Sequence, residues 1–500
     1  MLSRVLGLVR DAGMAVLFGA GPLMDAFTVA FRLPNLARRL FGEGSLTAAF
    51  LPVFVRVHQT DKARGRRLAA AVAVLLSALL LALVAAGELA CWGLMQVAAP
   101  PTRRLLELVA ILTPYLWFIC LAAQLSAVLH ALRRFFWPAV LPLVLNTFWI
   151  AAVLLAPGVT ADDFDRMRLI CVIITASGIV QVGLLLVVLR RLGFDRTWSW
   201  AESSAAVREI AAGVLPTVIG LSITQLNAVA DSLLAWGLSP SSGIAERYHY
   251  VESGAATALY LGQRVHQVPL GVFGIALSTV FFPLLAEHAQ NNRTAALGAD
   301  LSRGVRLCLA IGLPSAAGLV VLSELIPRVL FEHGEFTAAD SRLTGQMLAG
   351  YGLGVWAFMT VPLLNRGFYA AGDRVTPMRI GLAVIAVHLL LDVAGVVWLG
   401  GAGLAVATSV AAIVHLLWTA VVIDRRIAPL QRSAIVATSA KAAAVTGVMA
   451  AVCVAVRDAT AGSSWWVELL APIAAAVVVY GSLGWLFLKN DLRSGPADET

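Results

Sequence analysis

Charge is what this chain has least of: only 13% of its 500 residues are charged, against about 25% in an ordinary soluble domain. A water-facing shell of normal size is therefore excluded. Lysine is almost missing, with Lys62, Lys441 and Lys489 alone, and none stands in a Gly-rich phosphate loop, so the chain is not read as an ATP hydrolase. Cysteine is sparse too. Cys91, Cys120, Cys171, Cys308 and Cys453 lie singly in apolar segments, without the close pairing that metal or redox motifs need. No polar stretch is long enough for a soluble domain. The basic residues sit in short turns rather than on one continuous face, which excludes nucleic acid as a partner despite the net charge of +8.

What is there is hydrocarbon. Hydrophobic residues make up 59% of the chain and the mean hydropathy is +0.84. Apolar runs of about 18 to 25 residues recur along the chain, each able to cross a hydrocarbon core about 30 Å thick. The pattern predicts an all-α polytopic membrane protein of about fourteen transmembrane helices, centred near residues 11, 40, 83, 118, 147, 179, 221, 268, 314, 356, 388, 412, 445 and 476. Arginine and lysine crowd alternate connections, as in Lys62, Arg64, Arg66 and Arg67, then Arg133 and Arg134, then Arg190 and Arg191. The positive-inside rule places these, and both termini, in the cytoplasm. The acidic turn Asp162, Asp163, Asp165 then faces outward.

Six arginines fall inside spans instead: Arg4, Arg10, Arg32, Arg38, Arg39 and Arg264. A cation at membrane depth costs about 2.5–3.5 kcal/mol even on the lenient insertion scale, so it faces a partner or a polar cavity. Asp11, Asp25 and Glu43 lie in the same first two spans. Two readings stay open: structural ion pairs, or a water-filled cavity whose positive charge holds an anion. Span 2 is also interrupted, with Pro34, Gly42, Gly44 and Pro52 in an otherwise helical run. Broken helices are tolerated in a membrane where they line a cavity or pack in protein. Leu46, Thr47, Phe50 and Pro52 recur at constant spacing as Leu277, Ser278, Phe281 and Pro283 in span 8. That echo predicts spans 1–6 and 7–12 as parallel repeats with a binding site between two lobes.

SRVLGLVRDA at 3–12, FGAG at 18–21 and DAFTVAFRLPNLARRLFGEGSLTAAFLPV at 25–53 resemble the signature of the MurJ/MviN family. GVFGIAL at 271–277, GEFTAAD at 334–340 and GFYAAGDRVTPMRI at 367–380 extend the likeness over spans 1–12. The resemblance implies two six-helix lobes around a central cavity, at 1–200 and 201–430, then two C-terminal helices forming a lipid-tail groove at 431–490 and a cytoplasmic tail at 491–500. It implies a flippase of the bacterial inner membrane rather than an enzyme. Its substrate would be lipid II, the undecaprenyl-pyrophosphate-linked peptidoglycan precursor, with membrane lipids and other cell-wall synthesis proteins as further partners. The family's substrate-binding residues carry over onto Arg4, Arg10, Asp25, Arg38, Glu43 and Arg264; Arg32 joins them by its depth and Arg39 as a further arginine of span 2, although Arg4 and Arg39 can also snorkel to an interface. An arginine fork suits pyrophosphate because it donates two parallel charge-assisted hydrogen bonds. Gln263 and Gln267 stand where relatives commonly have acids.

The same resemblance implies a sodium site from Asp231, His388, Asp392, the carbonyl of Leu404 and Thr408. His388 and Asp392 are four residues apart and so share a helix face. Carboxylate, carbonyl and hydroxyl oxygens suit a hard cation, whereas the histidine nitrogen equally suits a titrating proton, and a purely structural pair is the third reading. No other cofactor is expected. Competing functions are export of another polyprenyl-linked oligosaccharide or of drugs, and a non-transporting scaffold of a cell-wall complex. A glycosyltransferase would need a catalytic carboxylate in a sizeable outer loop, and the outer loops here are short.

Overall fold

A computed structural model describes residues 2–38, 45–194, 197–242 and 250–493, with backbone alone at 45–48, 214–226 and 493. Every regular element among the described residues is helical. The first eight helices are α1 (Leu2–Phe18), α2 (Pro22–Ala37), α3 (Ser45–Thr60), α4 (Lys62–Met95), α5 (Pro100–Ala131), α6 (Phe136–Val159), α7 (Asp163–Arg191) and α8 (Trp200–Gly237). Then follow α9 (Ala255–Pro269), α10 (Ile275–Gln290), α11 (Thr294–Val321), α12 (Leu325–Phe331), α13 (Ala338–Gly352) and α14 (Val355–Ala370). The last are α15 (Val375–Leu399), α16 (Ala402–Arg426), α17 (Arg432–Ala459), α18 (Trp465–Phe487) and α19 (Lys489–Arg493). Among the described residues ten helices are long and apolar enough to cross a membrane, with α9 and α10 taken together, and eleven if α13 and α14, bent by 41°, form one span. The predicted centres all fall in helices except the one near residue 40, which lies outside the described residues.

The chain divides into two compact units, Met1–His249 with His333–Glu335, and Tyr250–Glu332 with Phe336–Thr500. In the first, α5 packs on α2, α4 and α7, while α6 packs on α1 and α7. Helix α8 packs on α2, α3 and α4, so it groups with the first unit, whereas the sequence division begins the second lobe at 201. In the second unit α11 contacts α10, α14 and α17, and α17 contacts α18. The last two helices are fastened by hydrogen bonds as well as packing: Tyr480 Oη of α18 donates to the Ala310 carbonyl of α11. Arg306 Nη1 donates to the Asp491 carbonyl at 2.6 Å, and Lys441 Nζ pairs with the Asp491 carboxylate at 2.8 Å. Asp491 is thus held in α19; residues 494–500 lie outside the described ones.

Lipid tails solvate apolar side chains as well as another helix does, so helices associate in a membrane through close backbone approach and polar contacts. The α15–α16 hairpin shows the first. Gly400, at φ +60, turns the chain between them. Gly395 and Gly403 then meet backbone to backbone, and a Cβ on Gly403 would lie 2.0 Å from the Gly395 carbonyl oxygen. Helix α16 shows the second where Ser409 Oγ donates to the Gly350 carbonyl of α13 at 2.6 Å.

The interruption expected in span 2 at Gly42 and Gly44 lies outside the described residues. Helix α2 stops at Ala37 and α3 begins at Ser45. In the second unit α9 runs through Pro269 into a π-helical turn, Leu270–Gly274, before α10. Proline removes a backbone donor and crowds the preceding turn, so a widened turn is a natural response. The echoed phenylalanines, Phe50 and Phe281, are both buried, and the echoed prolines, Pro52 and Pro283, both lie inside their helices.

Candidate functional site

Arg10 lies in the interior of the first unit with 4% of its surface exposed, beside Asp11 at 3%. Its Nε and Nη2 donate to Asp11 Oδ1 at 2.9 and 2.6 Å, and its Nη1 donates to Asn146 Oδ1 of α6 at 3.2 Å. The guanidinium also sits 4.0 Å from the ring of Trp149. Asn146 and Trp149 are three apart, hence on one face of α6. Phe27 and Phe31 of α2 meet the Trp149 ring edge-on, at 5.5 and 4.8 Å. One tryptophan thereby joins α1, α2 and α6, and the buried charge is matched on its edge by a carboxylate and on its face by the indole. Asn146 also donates to the Ser3 carbonyl at 3.1 Å, the interhelical role its residue type implies. Sequence reasoning gave Trp149 no role; its spacing from Asn146 is the only signal.

Asp25 is fully buried in the first turn of α2, where the helix N-terminus favours a negative charge, and accepts from Ser241 Oγ at 3.2 Å. Ser241 belongs to a short 3₁₀ turn, Pro240–Ser242. Arg38 caps the end of α2, half-buried, with Nη2 donating to Asn35 Oδ1 at 2.9 Å. Arg32 is half-buried and Arg4 exposed. Arg39 and Glu43 lie outside the described residues. The first unit therefore brings together Arg10, Asp11 and Asn146.

Arg264 belongs to α9 in the second unit, one turn after Tyr260, whose hydroxyl accepts from its Nε at 3.1 Å and its Nη2 at 2.8 Å. The phenol ring lies 5.0 Å from the guanidinium carbon, so part of the charge is covered while the side chain remains half-buried.

His388 and Asp392 occupy one face of α15, buried to 1% and 0% exposure. His388 Nε2 is 3.3 Å from Asp392 Oδ1 and 3.2 Å from Thr408 Oγ1 of α16. The Thr408 hydroxyl donates its proton to the Leu404 carbonyl at 2.8 Å. Its oxygen is then the acceptor toward His388, which assigns the His388 proton to Nε2. The Gly395–Gly403 contact sets α15 and α16 close enough for this chain of bonds to close. Carboxylate, hydroxyl and carbonyl oxygens from two adjacent helices fit a hard monovalent cation, and the imidazole fits a proton. Asp231, the remaining predicted ligand, is buried in α8 of the first unit.

The family model described as "Lipid II flippase MurJ" matches residues 14–475. A curated relative from Rhizobium tropici, named probable lipid II flippase MurJ, is 32% identical over 418 residues, covering 82% of this chain and 76% of its own. One from Vibrio cholerae with the same name is 31% identical over 432 residues, covering 83% and 79%. Among solved structures, "Lipid II flippase MurJ, inward closed conformation" superposes with a TM-score of 0.78 at 23% identity over 98% of both chains.

Proposed function

The chain belongs to the MurJ family of lipid II flippases, and from that membership we propose that it carries lipid II from the cytoplasmic to the outer leaflet of the bacterial inner membrane by alternating access. The match over residues 14–475 is the observation that carries this reading. The geometry adds a division of labour among the arginines. Arg10 is committed to Asp11 and Asn146 and serves as a positioning residue. Arg38 and Arg264, both half-buried, supply guanidinium donors to the pyrophosphate. A guanidinium donates two parallel charge-assisted hydrogen bonds, which suits a residue that must meet a dianionic group.

Coupling is assigned to the second unit, where His388, Asp392, Thr408 and the Leu404 carbonyl hold sodium or a proton. A bound cation shifts the inward–outward balance only through different affinities for the two states. Burial of Asp392 supports the assignment, because a carboxylate at membrane depth is costly unless a charge or proton offsets it.

The test is depletion of the protein in cells that depend on it, followed by measurement of the lipid II accessible at the outer face. Externally accessible lipid II should fall, and Arg38→Ala and Arg264→Ala should fail to restore it while inserting normally, with lysine rescuing poorly. Unchanged accessibility on depletion sinks the flippase reading. Asp392→Asn should slow transport and alter its dependence on sodium or pH; a parental rate under all conditions would reduce the site to packing.

A further inference from the structure

The second unit holds a cavity of about 810 Å³ lined from α11, α12, α13, α17 and α18 and the turns beside them. Its walls combine apolar side chains, Val320, Val321, Leu325 and Val454, with charges of both signs. Some of those charges satisfy one another. Arg328 pairs with Glu468, whose other oxygen accepts from the Gly462 amide at 2.7 Å. Arg457 pairs with Asp458 at 2.9 Å and reaches the Val321 carbonyl at 3.0 Å. The rest have no such partner among the described residues. Glu324 and Arg342 are exposed at the cavity without an ion pair. Glu332 keeps one buried carboxylate oxygen with no hydrogen bond, and Ser341, 3% exposed, has a buried hydroxyl with none.

We infer that this cavity seats the headgroup of an aminophospholipid, with phosphatidylethanolamine as the probe, its ammonium on Glu324 and Glu332 and its phosphate on Arg342 and Ser341. Three observations select that occupant. Trp465 and Trp466, 67% and 54% exposed, stand at the start of α18 within one turn of the cavity-lining Glu468, and exposed tryptophans at a helix end mark headgroup depth. Helix α18 buries only 6% of its most apolar stretch within the protein, so acyl chains can lie along it while the head enters. Last, the uncommitted groups are two carboxylates, one arginine and one hydroxyl. That set matches a zwitterion carrying N–H donors and repels an anionic head. A buried hydroxyl and carboxylate oxygen without partners carry a desolvation cost that such a ligand removes. The inference does not depend on the flippase reading, because its test measures binding without transport.

The experiment is native mass spectrometry of the purified full chain in detergent, offered phosphatidylethanolamine, phosphatidylcholine and phosphatidylglycerol with the same acyl chains. Ethanolamine lipid should be retained about tenfold over choline lipid, tenfold being about 1.4 kcal/mol, since choline has no N–H to donate. Glu332→Gln should bring the two to near parity, and Ser341→Ala, which removes one oxygen and disturbs packing least, should cut retention of both. Equal retention of the two lipids by the parental chain overturns the proposal. So does preferential retention of phosphatidylglycerol that is lost in Arg342→Gln, which would make the cavity an anionic-lipid site.

Discussion

Replacing Arg10 by methionine removes three hydrogen bonds and a cation from the face of Trp149, and takes the guanidinium away from the buried Asp11 carboxylate. Breaking one side of a buried pair typically costs about 3–5 kcal/mol, most of it the penalty of the stranded charge. Asp11→Leu removes the carboxylate from Arg10 in turn and should cost about as much. Removing both charges of a buried pair together is often nearly neutral. The double variant Arg10→Met/Asp11→Leu should therefore be more stable than either single variant, with a coupling of about 2–3 kcal/mol. Thermal unfolding in detergent, followed by fluorescence-detected gel filtration, gives the stability order. Growth of a depletion strain carrying each variant gives function. If Arg10 is a positioning residue, the double variant recovers both folding and growth. A double variant that folds at the parental temperature but supports no growth would refute the argument and place Arg10 on the substrate.

Gly403→Ala should lower the unfolding temperature clearly and weaken transport, because its Cβ would fall 2.0 Å from the Gly395 carbonyl oxygen and force α15 from α16; an unchanged temperature would mean the hairpin is looser than this contact requires. At the start of α4, the backbone amides of Arg64 and then Ala63 hold the Asp61 carboxyl below the usual carboxylate range. The capping contribution is therefore complete above about pH 4 and lost as pH falls through the lowered folded value. Amide exchange at Ala63 and Arg64 should accelerate over that interval, and Asp61→Asn, which still caps, should abolish the pH dependence. Reporter fusions after Arg67, Arg134, Arg196 and Arg306 should report the cytoplasm, and fusions after Asp163 and Asp340 the outside; one clear reversal would show that a span has been gained or lost.

Helical membrane architecture was legible from composition because the bilayer imposes a length and an apolar content on every span. The π-helical turn after Pro269 was not legible, because no single residue type specifies it. Motif blocks shared with a known family carried the function, and the match over 14–475 agrees with them. Sequence could also say that six arginines sit at membrane depth, because burying a cation has a cost wherever it happens. It could not say which of them is already matched. Arg10 meets Asn146 and Trp149 across more than 130 positions of chain, and only the packing of α1 on α6 decides that.

The same limit applies to His388. Its spacing from Asp392 follows from helical periodicity alone, but Thr408 reaches it because two glycines let α15 and α16 touch. The mixed-charge cavity beside α18 was invisible in sequence, since its residues come from separate segments with no shared motif. Local rules and the solvent fix which residues enter the membrane and in what helical phase. Which buried charge finds a partner, and which is left for a ligand, is settled only when distant helices close on one another, because a pairing energy depends on separation in space and not along the chain.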